Sequence, residues 1–190
     1  MNTFVSQLSA RAKSLGSAAF RQRHGLTLAY MAGAMASGIA SEDLLEALIG
    51  AGCLASFGAA GLSLARVEAA IARLRNRLAG RRLCFNLIHA PGQPGHERAL
   101  VDLYLGKRIE AVEASAFMQL TPALVLYRAR GASLDAEGRA VPRQRIIAKL
   151  SRREVAQAFL QPPPAALVDA LVSEGALHAD EAEAARRLPM

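Results

Sequence analysis

Three polar side chains lie at or near the carboxyl ends of short apolar runs that predict buried strands. They are Asn86 in the run 83–88, Glu113 in the run 109–114 and Lys149 in the run 145–150. An amide, a carboxylate and an ammonium can together bind and polarise a ligand. Parallel α/β sheets bind ligands at the carboxyl ends of their strands. The positions therefore predict a ligand site, although Asn86 as a loop cap and Lys149 as a solvated cation remain alternatives.

A second candidate lies in the segment Leu26–Ser41, where an apolar run gives way to small residues. Leu26–Met31 predicts a strand, the residues after it are mostly Ala, Gly and Ser, and Ser41 is a candidate N-cap of a helix Glu42–Gly50. A strand that ends in glycine and leads into a helix can bring backbone close to a phosphate or a flat cofactor. The alternative is a small-residue turn with no ligand.

The elements that would position these residues alternate along the chain. Five apolar runs predict strands, and each is followed by a segment with helical periodicity or helix-start signals. The predicted strands are Leu26–Met31, Cys53–Phe57, Leu83–Ile88, Ile109–Ala114 and Arg145–Leu150. Strict alternation of this kind indicates right-handed βαβ crossovers and a parallel sheet, and so an α/β protein. We predict a basic lead-in helix and linker (1–25), five βα units (26–160) and a helical insertion that begins at three prolines (161–190).

Composition excludes several classes of function. The chain has 190 residues, 23 Lys and Arg against 16 Asp and Glu, and 52% hydrophobic residues. No apolar block approaches the roughly 20 residues of a membrane span, and the arginines are scattered without interleaved aromatics, so membrane and nucleic-acid binding are disfavoured. No GxGxxG and no GxxxxGK[ST] motif occurs, which disfavours Rossmann and P-loop sites. The basic surface fits an acidic protein partner or a phosphorylated ligand at least as well.

The cysteines and the N-terminus indicate the compartment. Cys53 and Cys84 stand in apolar runs without metal-ligand spacing, so we expect two buried thiols, no metal and a cytoplasmic protein. The first 24 residues are basic and lack acids, which is typical of a mitochondrial presequence. A lead-in helix that packs through Val5, Leu8, Ala12 and Leu15 is the preferred alternative.

Several long motifs resemble one family closely, from about Leu15 to Met190. They are LGSAAFRQRHG (15–25), AYMAGAMASGIAS (29–41), FGAAGLS (57–63), FNLIH (85–89), VDLYL (101–105), VEASAFMQLTPALV (112–125), IAKLSRREVA (147–156) and FLQPPP (159–164). Together they resemble the PfaD-type flavin-dependent enoyl reductases of polyunsaturated fatty acid and trans-acyltransferase polyketide synthases, which are related to nitronate monooxygenases. Because 15–25 belongs to this pattern, a cleaved presequence is disfavoured.

The resemblance implies the N-terminal part of an FMN-binding (β/α)8 TIM barrel. Such an enzyme passes hydride from NAD(P)H through the flavin to an enoyl thioester on an acyl carrier protein. By position, Met31, Ala32 and Gly33 would lie against the flavin ring. Asn86 and Lys149 would bond or polarise the polar edge of the ring, and Lys149 would stabilise the anionic reduced flavin. Glu113 would shape the same pocket.

The chain departs from the family in length. A TIM barrel has eight strands, and this sequence predicts five. The loops that hold the phosphate and the candidate catalytic histidine of the family lie beyond residue 190, so no catalytic residue is assigned. We expect the remaining half-barrel to come from a continuing or second chain, with a homo-oligomer left open, and we expect this piece alone to be inactive. The alternatives are a non-catalytic subunit that docks on a synthase and a nitronate monooxygenase.

Overall fold

The main sheet of the protein is formed by five parallel strands. The computed structural model describes residues 12–190. The five strands are Met31–Ala32 (β1), Leu54–Phe57 (β2), Cys84–Ile88 (β3), Ala111–Ser115 (β4) and Arg145–Lys149 (β7). They lie side by side in this order, and each pairs in parallel with its neighbour. Ser133–Leu134 (β5) and Ala140–Val141 (β6) form a small antiparallel hairpin.

A helix follows each of the five strands, in agreement with the predicted α/β class. The helices are Ala18–His24 (α1), Glu42–Gly50 (α2), Leu64–Arg77 (α3), Pro94–Gly106 (α4), Pro122–Ala129 (α5), Arg153–Phe159 (α6), Ala165–Ser173 (α7) and Ala179–Ala185 (α8). With its curl and its helices, the sheet matches the expected N-terminal part of a TIM-barrel-like fold.

Side-chain caps fix where several helices begin. The hydroxyls of Ser41, Ser63 and Thr121 accept hydrogen bonds from backbone N–H groups in the first turns of α2, α3 and α5. The predicted cap at Ser41 is confirmed, and Ser63, a serine directly before the helical run of α3, caps in the same way.

Ser151 directly follows the predicted strand Arg145–Leu150 and is of a residue type that favours N-caps, so the sequence predicts a cap there. This prediction is wrong, because α6 begins at Arg153 and Arg152 occupies its N-cap position.

The first strand is much shorter than its apolar run predicted. Only Met31 and Ala32 pair with β2, whereas the predicted strand began at Leu26. The N–H groups of Thr27 and Leu28 both donate to the Gly52 carbonyl, at 2.9 and 3.2 Å. In a strand ladder, consecutive N–H groups do not share one carbonyl. The chain therefore bends at Thr27 and Leu28, and its pairing with β2 starts later.

The two faces of the sheet pack against different partners. Alternate side chains such as Phe85, Leu87 and Val112 face the helices and form the main core. On the inner face, a smaller apolar cluster joins Leu54, Cys84 and Ala111 with the half-buried Met31 and Ile147 and with Phe20 of α1. Helix α1 therefore packs beneath the amino-terminal end of the inner face.

Two arginines fasten α1 to the sheet. The guanidinium groups of Arg82 and Arg145 donate to the carbonyl of Arg23, at 3.1 and 2.6 Å. Cations at a helix C-terminus stabilise the exposed carbonyls. In the predicted lead-in helix, Val5 and Leu8 lie outside the described residues. Leu15 is 69% exposed and does not pack on the domain as expected.

The C-terminal helices fold back on the sheet's helical layer. Helices α7 and α8 contact each other and α5, and α8 also contacts the β5–β6 hairpin. The Gly131 N–H donates to the Glu181 carboxylate at 2.7 Å, which ties α8 to the end of α5. The helical nature of 161–190 follows the prediction, and its status as a separate insertion stays a prediction. Among the described residues, no helix is long and apolar enough to span a membrane.

Gly58 is required by the close approach of the loop that follows β1. A Cβ atom there would lie 1.7 Å from the Met35 carbonyl oxygen. We expect Gly58→Ala to lower the free energy of unfolding by about 3 kcal/mol or more, because backbone must move. Urea denaturation measures this. Gly50→Ala is the control, because a Cβ atom at Gly50 would meet no heavy atom within 4 Å. An equal loss in both variants would contradict the contact.

His24 predicts how stability changes with pH. Burial, followed by the charges of Arg145, Arg82 and Arg23, lowers its pKa from 6.5 to about 4. The unfolded chain therefore binds a proton between pH 6.5 and 4 that the folded protein does not, so stability falls as the pH falls through this window. From pH 7 to pH 5 we expect His24 to account for about 2 kcal/mol of lost stability.

The comparison uses His24→Gln, which cannot titrate. Urea denaturation at pH 7 and pH 5 should show a smaller loss for the variant than for the wild type. Acidic groups contribute equally to both proteins, so they cancel in this difference. Parallel pH profiles of the two proteins would exclude the proposed role of His24.

Candidate functional site

The predicted site residues meet at the carboxyl end of the sheet. Asn86 on β3 pairs with Glu113 on β4, and Ser115 pairs with Lys149 on β7. Gly33, directly after β1, lies beside both Glu113 and Lys149. The tertiary structure thus brings together four of the six predicted residues, from three strands and the turn that follows β1.

Glu113 is the centre of this arrangement and is fully buried. Its Oε2 accepts a hydrogen bond from the Ala34 N–H at 2.7 Å, and its Oε1 lies 2.6 Å from the Lys149 Nζ. Oε1 has no hydrogen bond of good geometry among the described residues, so its close partner is ionic. A buried carboxylate is costly unless it is paired and hydrogen-bonded. Glu113 therefore joins the end of β1 to β4 and β7.

The glycine after β1 is explained by this carboxylate. A Cβ atom on Gly33 would lie 3.2 Å from Glu113 Oε1 and 3.5 Å from Lys149 Nζ. A side chain at this position would press on the ion pair. The presence of glycine at position 33 therefore has a structural explanation that does not depend on a ligand. Its predicted contact with a flavin ring stays a prediction.

Asn86 is buried and its amide nitrogen is fully engaged. The Nδ2 group donates to the Glu113 carbonyl at 3.1 Å and to the Ser115 hydroxyl at 2.8 Å. The Tyr104 hydroxyl donates to the Asn86 backbone carbonyl at 2.8 Å. An amide nitrogen has two donors, so only the side-chain oxygen is left for a ligand. Asn86 chiefly locks the register of β3 and β4 beneath the site.

Met31 and Ala32 form β1 itself and are half-buried. Met31 packs on the inner-face cluster of Leu54, Cys84 and Ala111. Burial raises the pKa of the Cys84 thiol to about 12, so the thiol stays protonated at neutral pH and acts as a small hydrophobe. Both cysteines are buried and free, as predicted. This apolar layer supports the polar residues and brings no reactive group to them.

Lys149 presents the accessible charge of the site. Its side chain is 53% exposed while its partner Glu113 is 0% exposed. A cavity of about 520 Å³ lies next to it, between the loops that follow β4 and β7, and Phe117, Met118 and Arg152 are among its lining residues. Exposed Ile88 and Met118 add apolar surface at the same edge. The Lys149 ammonium is held in place beside apolar surface. Such an arrangement can bind a flat ring that gains negative charge.

Sequence reasoning missed a polar cluster in the neighbouring loops. Glu97, 3% exposed, accepts a hydrogen bond from the Thr121 hydroxyl, and its Oε2 lies 3.0 Å from His89 Nδ1. The His89 ring stacks on Phe117 at 5.2 Å between centroids. The cluster ties the loop after β3 to the loop after β4. The partners of Glu97 lie 8 to 24 positions away from it in the sequence, and they share no common motif with it. The only signal of this cluster in the sequence is that each of these residues is polar.

The residues fit the ring of a flavin and do not resemble a metal centre. The half-exposed Lys149 ammonium and the adjoining apolar side chains line one cavity. The fully buried Glu113 carboxylate pairs with the ammonium and does not itself line the cavity. Among residues 12–190, no group of three or more His, Cys, Asp or Glu side chains is placed to hold a metal ion.

Comparisons with known proteins identify relatives along nearly the whole chain. No family model matches the chain. It is 42% identical over 185 residues, 97% of its length, to the polyketide biosynthesis protein PksE of Bacillus subtilis. It is 43% identical over 176 residues, 93% of its length, to a subunit of the polyunsaturated fatty acid synthase of Thraustochytrium sp..

A solved structure is similar in fold as well as in sequence. The enoyl reductase domain of MlnA from the macrolactin biosynthesis cluster of Bacillus amyloliquefaciens has a TM-score of 0.89 and 39% identity, and the match covers 93% of this chain. The chain spans only part of these relatives. It covers 24% of PksE, 12% of the Thraustochytrium synthase protein and 40% of the MlnA chain.

The ion pair between Glu113 and Lys149 can be tested by a double-mutant cycle. Lys149→Met leaves a buried carboxylate without a counterion, and we expect it to cost about 3 kcal/mol of stability. Glu113→Gln keeps an acceptor for the Ala34 N–H and should cost less, about 1–2 kcal/mol. The double variant should be more stable than Lys149→Met alone, because the unpaired charge is gone.

Urea denaturation of the four proteins measures the coupling. The exposed pair Arg152 and Glu154 is the control, since Glu154→Gln should change stability by at most about 0.5 kcal/mol. If the two single losses simply add in the double variant, the buried pair does not act as a unit.

Proposed function

We propose that this chain, a homologue of the enoyl reductases of polyketide and polyunsaturated fatty acid synthases, is part of such an enzyme. In this proposal it forms the flavin-ring side of an FMN-dependent enoyl reductase. The substrate class is an enoyl thioester on an acyl carrier protein, and the hydride donor is NAD(P)H. The motif resemblance predicted this family, and the similarity to PksE, to the Thraustochytrium synthase protein and to the MlnA domain supports it.

One observation carries the proposal: Lys149 is held at the carboxyl edge of the sheet by a buried carboxylate and still exposes half of its side chain. An ammonium has three donors, and Glu113 engages one side of it. The accessible donors can bind the polar edge of a ring and stabilise negative charge that develops there. When bound, FMN would supply hydride transfer from the nicotinamide to the enoyl thioester.

The other predicted residues have supporting roles in this proposal. Glu113 orients Lys149 and holds the Gly33–Ala34 backbone against β4. Asn86 fixes the strand register, and its side-chain oxygen would be the atom left to bind the ring. Met31 and Ala32 would form the floor on which the ring lies. Proton donation to the substrate is left to the candidate histidine that the family carries beyond residue 190.

The remaining barrel is the partner that the proposal requires. The two outer strands, β1 and β7, each pair on one side only among the described residues. An open sheet edge with a partly polar inner face favours pairing with further strands. We propose that a continuing segment or a second chain supplies those strands and the phosphate site, as the greater length of the relatives suggests.

The test measures NADPH oxidation with a crotonyl-carrier-protein substrate, with FMN, for the chain alone and together with the remaining barrel. Turnover is expected only when both parts are present. Oxygen consumption with a nitroalkane in place of reductase turnover would favour nitronate oxidation. Binding of carrier protein without any flavin would favour a docking subunit.

Variants of Lys149 test its electrostatic role in the assembled enzyme. We expect Lys149→Met to lower kcat by about 10²-fold or more, a loss typical of removing one charge-stabilising group, and Lys149→Arg to retain part of the activity. Lys107→Met is the matched control, because Lys107 lies 2.6 Å from Glu68 on α3, and it should leave kcat unchanged.

The double variant Lys149→Met with Glu113→Gln separates chemistry from folding. It should regain stability relative to Lys149→Met without regaining activity. If activity returns together with stability, Lys149 has only a structural role and the proposal for this residue fails.

A further inference from the structure

A second cavity lies at the amino-terminal end of the sheet, opposite the candidate site. It has a volume of about 750 Å³ and is formed by the end of α1, the end of α3 with the segment before β3, and the segment that joins α4 to β4. These connections belong to the middle strands β3 and β4. The cavity is therefore complete without any strand added at the edges of the sheet.

The walls of this cavity carry an unusual excess of positive charge. Its lining includes Arg23, Arg75, Arg81, Arg82 and Arg108 and a single acid, Glu110, which lies 3.6 Å from Arg82. Within the described chain, four of these arginines have no carboxylate within 4 Å, namely all except Arg82. They are also exposed.

Arginines elsewhere in the protein are mostly paired. Arg66 binds the Glu42 carboxylate through two nitrogens, at 2.8 and 2.9 Å, and Arg77 contacts both Asp43 and Glu46. Like charges that gather without counterions repel one another. The cluster at the cavity is thus an arrangement that a bound anion would stabilise.

A buried polar atom in the cavity wall points to the same conclusion. His24 lines the cavity, is 9% exposed, and its Nδ1 has no hydrogen-bond partner among the described residues. Burial and the neighbouring charges of Arg145, Arg82 and Arg23 lower the pKa of His24 to about 4. A lowered histidine pKa is expected where the local electrostatic potential is strongly positive.

We propose that this amino-terminal cavity binds a small ligand with two or more adjacent phosphate groups, of the pyrophosphate or nucleoside diphosphate class. Guanidinium groups bind phosphate oxygens with two parallel hydrogen bonds. The volume lies in the range of small-ligand sites, and the concave shape favours such a ligand over an acidic protein surface. The site is separate from the proposed reductase site, since the length of the strands lies between them.

The experiment titrates the protein with pyrophosphate by isothermal calorimetry at fixed ionic strength, with ADP, NADPH and orthophosphate as further probes. We expect saturable binding of pyrophosphate that is at least tenfold tighter than that of orthophosphate. If ADP binds more tightly than pyrophosphate, a nucleotide is the source of the phosphates. If pyrophosphate binds as tightly as ADP, the free anion is the source.

The variant Arg75→Ala with Arg81→Ala removes two exposed, unpaired arginines and should weaken pyrophosphate binding at least tenfold. The matched control is Arg139→Ala with Arg187→Ala, which removes the same charge near the β5–β6 hairpin and should change the Kd less than twofold. Urea denaturation checks that both variants are folded.

A second readout follows the His24 imidazole by NMR. Pyrophosphate should shift its ¹⁵N signals in the wild type, with the same midpoint as the calorimetric titration. Absence of saturable binding, equal weakening in the control variant, unmoved His24 signals, or tighter binding of an acidic peptide than of pyrophosphate would each overturn the proposal. None of these readouts depends on flavin or on reductase activity.

Discussion

The buried carboxylate of Glu113 is the interaction on which the carboxyl end of this sheet depends. A charge removed from water must be matched by partners inside the protein, and here the partners come from both outer strands of the sheet. The Ala34 N–H follows β1, and Lys149 ends β7. β1 has only two paired residues, and the bond from the Ala34 N–H to Glu113 is a further tie between the end of this strand and β4. The same contact decides where the accessible cation lies.

The inner face of the sheet changes character along its length. At its amino-terminal end, apolar side chains around Cys84 pack against Phe20 of α1. Toward the carboxyl end, the same face carries Asn86, Glu113 and Lys149. This gradient separates two environments of positive charge. At one end a single lysine is oriented by a buried acid, whereas at the other end several arginines surround a cavity with one acid. A held cation suits charge that develops during a reaction, and a cluster of free guanidinium groups suits a ligand that is already an anion.

The relatives give this organisation its context. The chain matches a segment of polyketide and polyunsaturated fatty acid synthase proteins and is similar in fold to part of an enoyl reductase domain. That segment contains the strands that end in the polar cluster. The loops around it are joined through Glu97 of α4, which contacts both His89 and Thr121. In the proposed reductase, this edge would lie on one side of the cofactor ring, and the rest of the barrel would complete the pocket.

The sequence by itself determined the α/β class, the order of the elements, the family and the candidates at the strand ends. These depend on local signals: apolar runs, helix caps such as Ser41 and Ser63, and contiguous motifs. It did not determine the late start of β1, because both Thr27 and Leu28 bond to Gly52, which lies more than twenty positions away. Nor did it determine what Gly33 and Asn86 contact, since their partners on β4 are fixed by strand register. The arginines around Arg75 and Arg108 are scattered along the chain, and they meet in a cavity only where the end of α1, the end of α3 and the connection from α4 to β4 come together. Contacts between distant residues are set by how the elements pack, and that packing exists only in the tertiary structure.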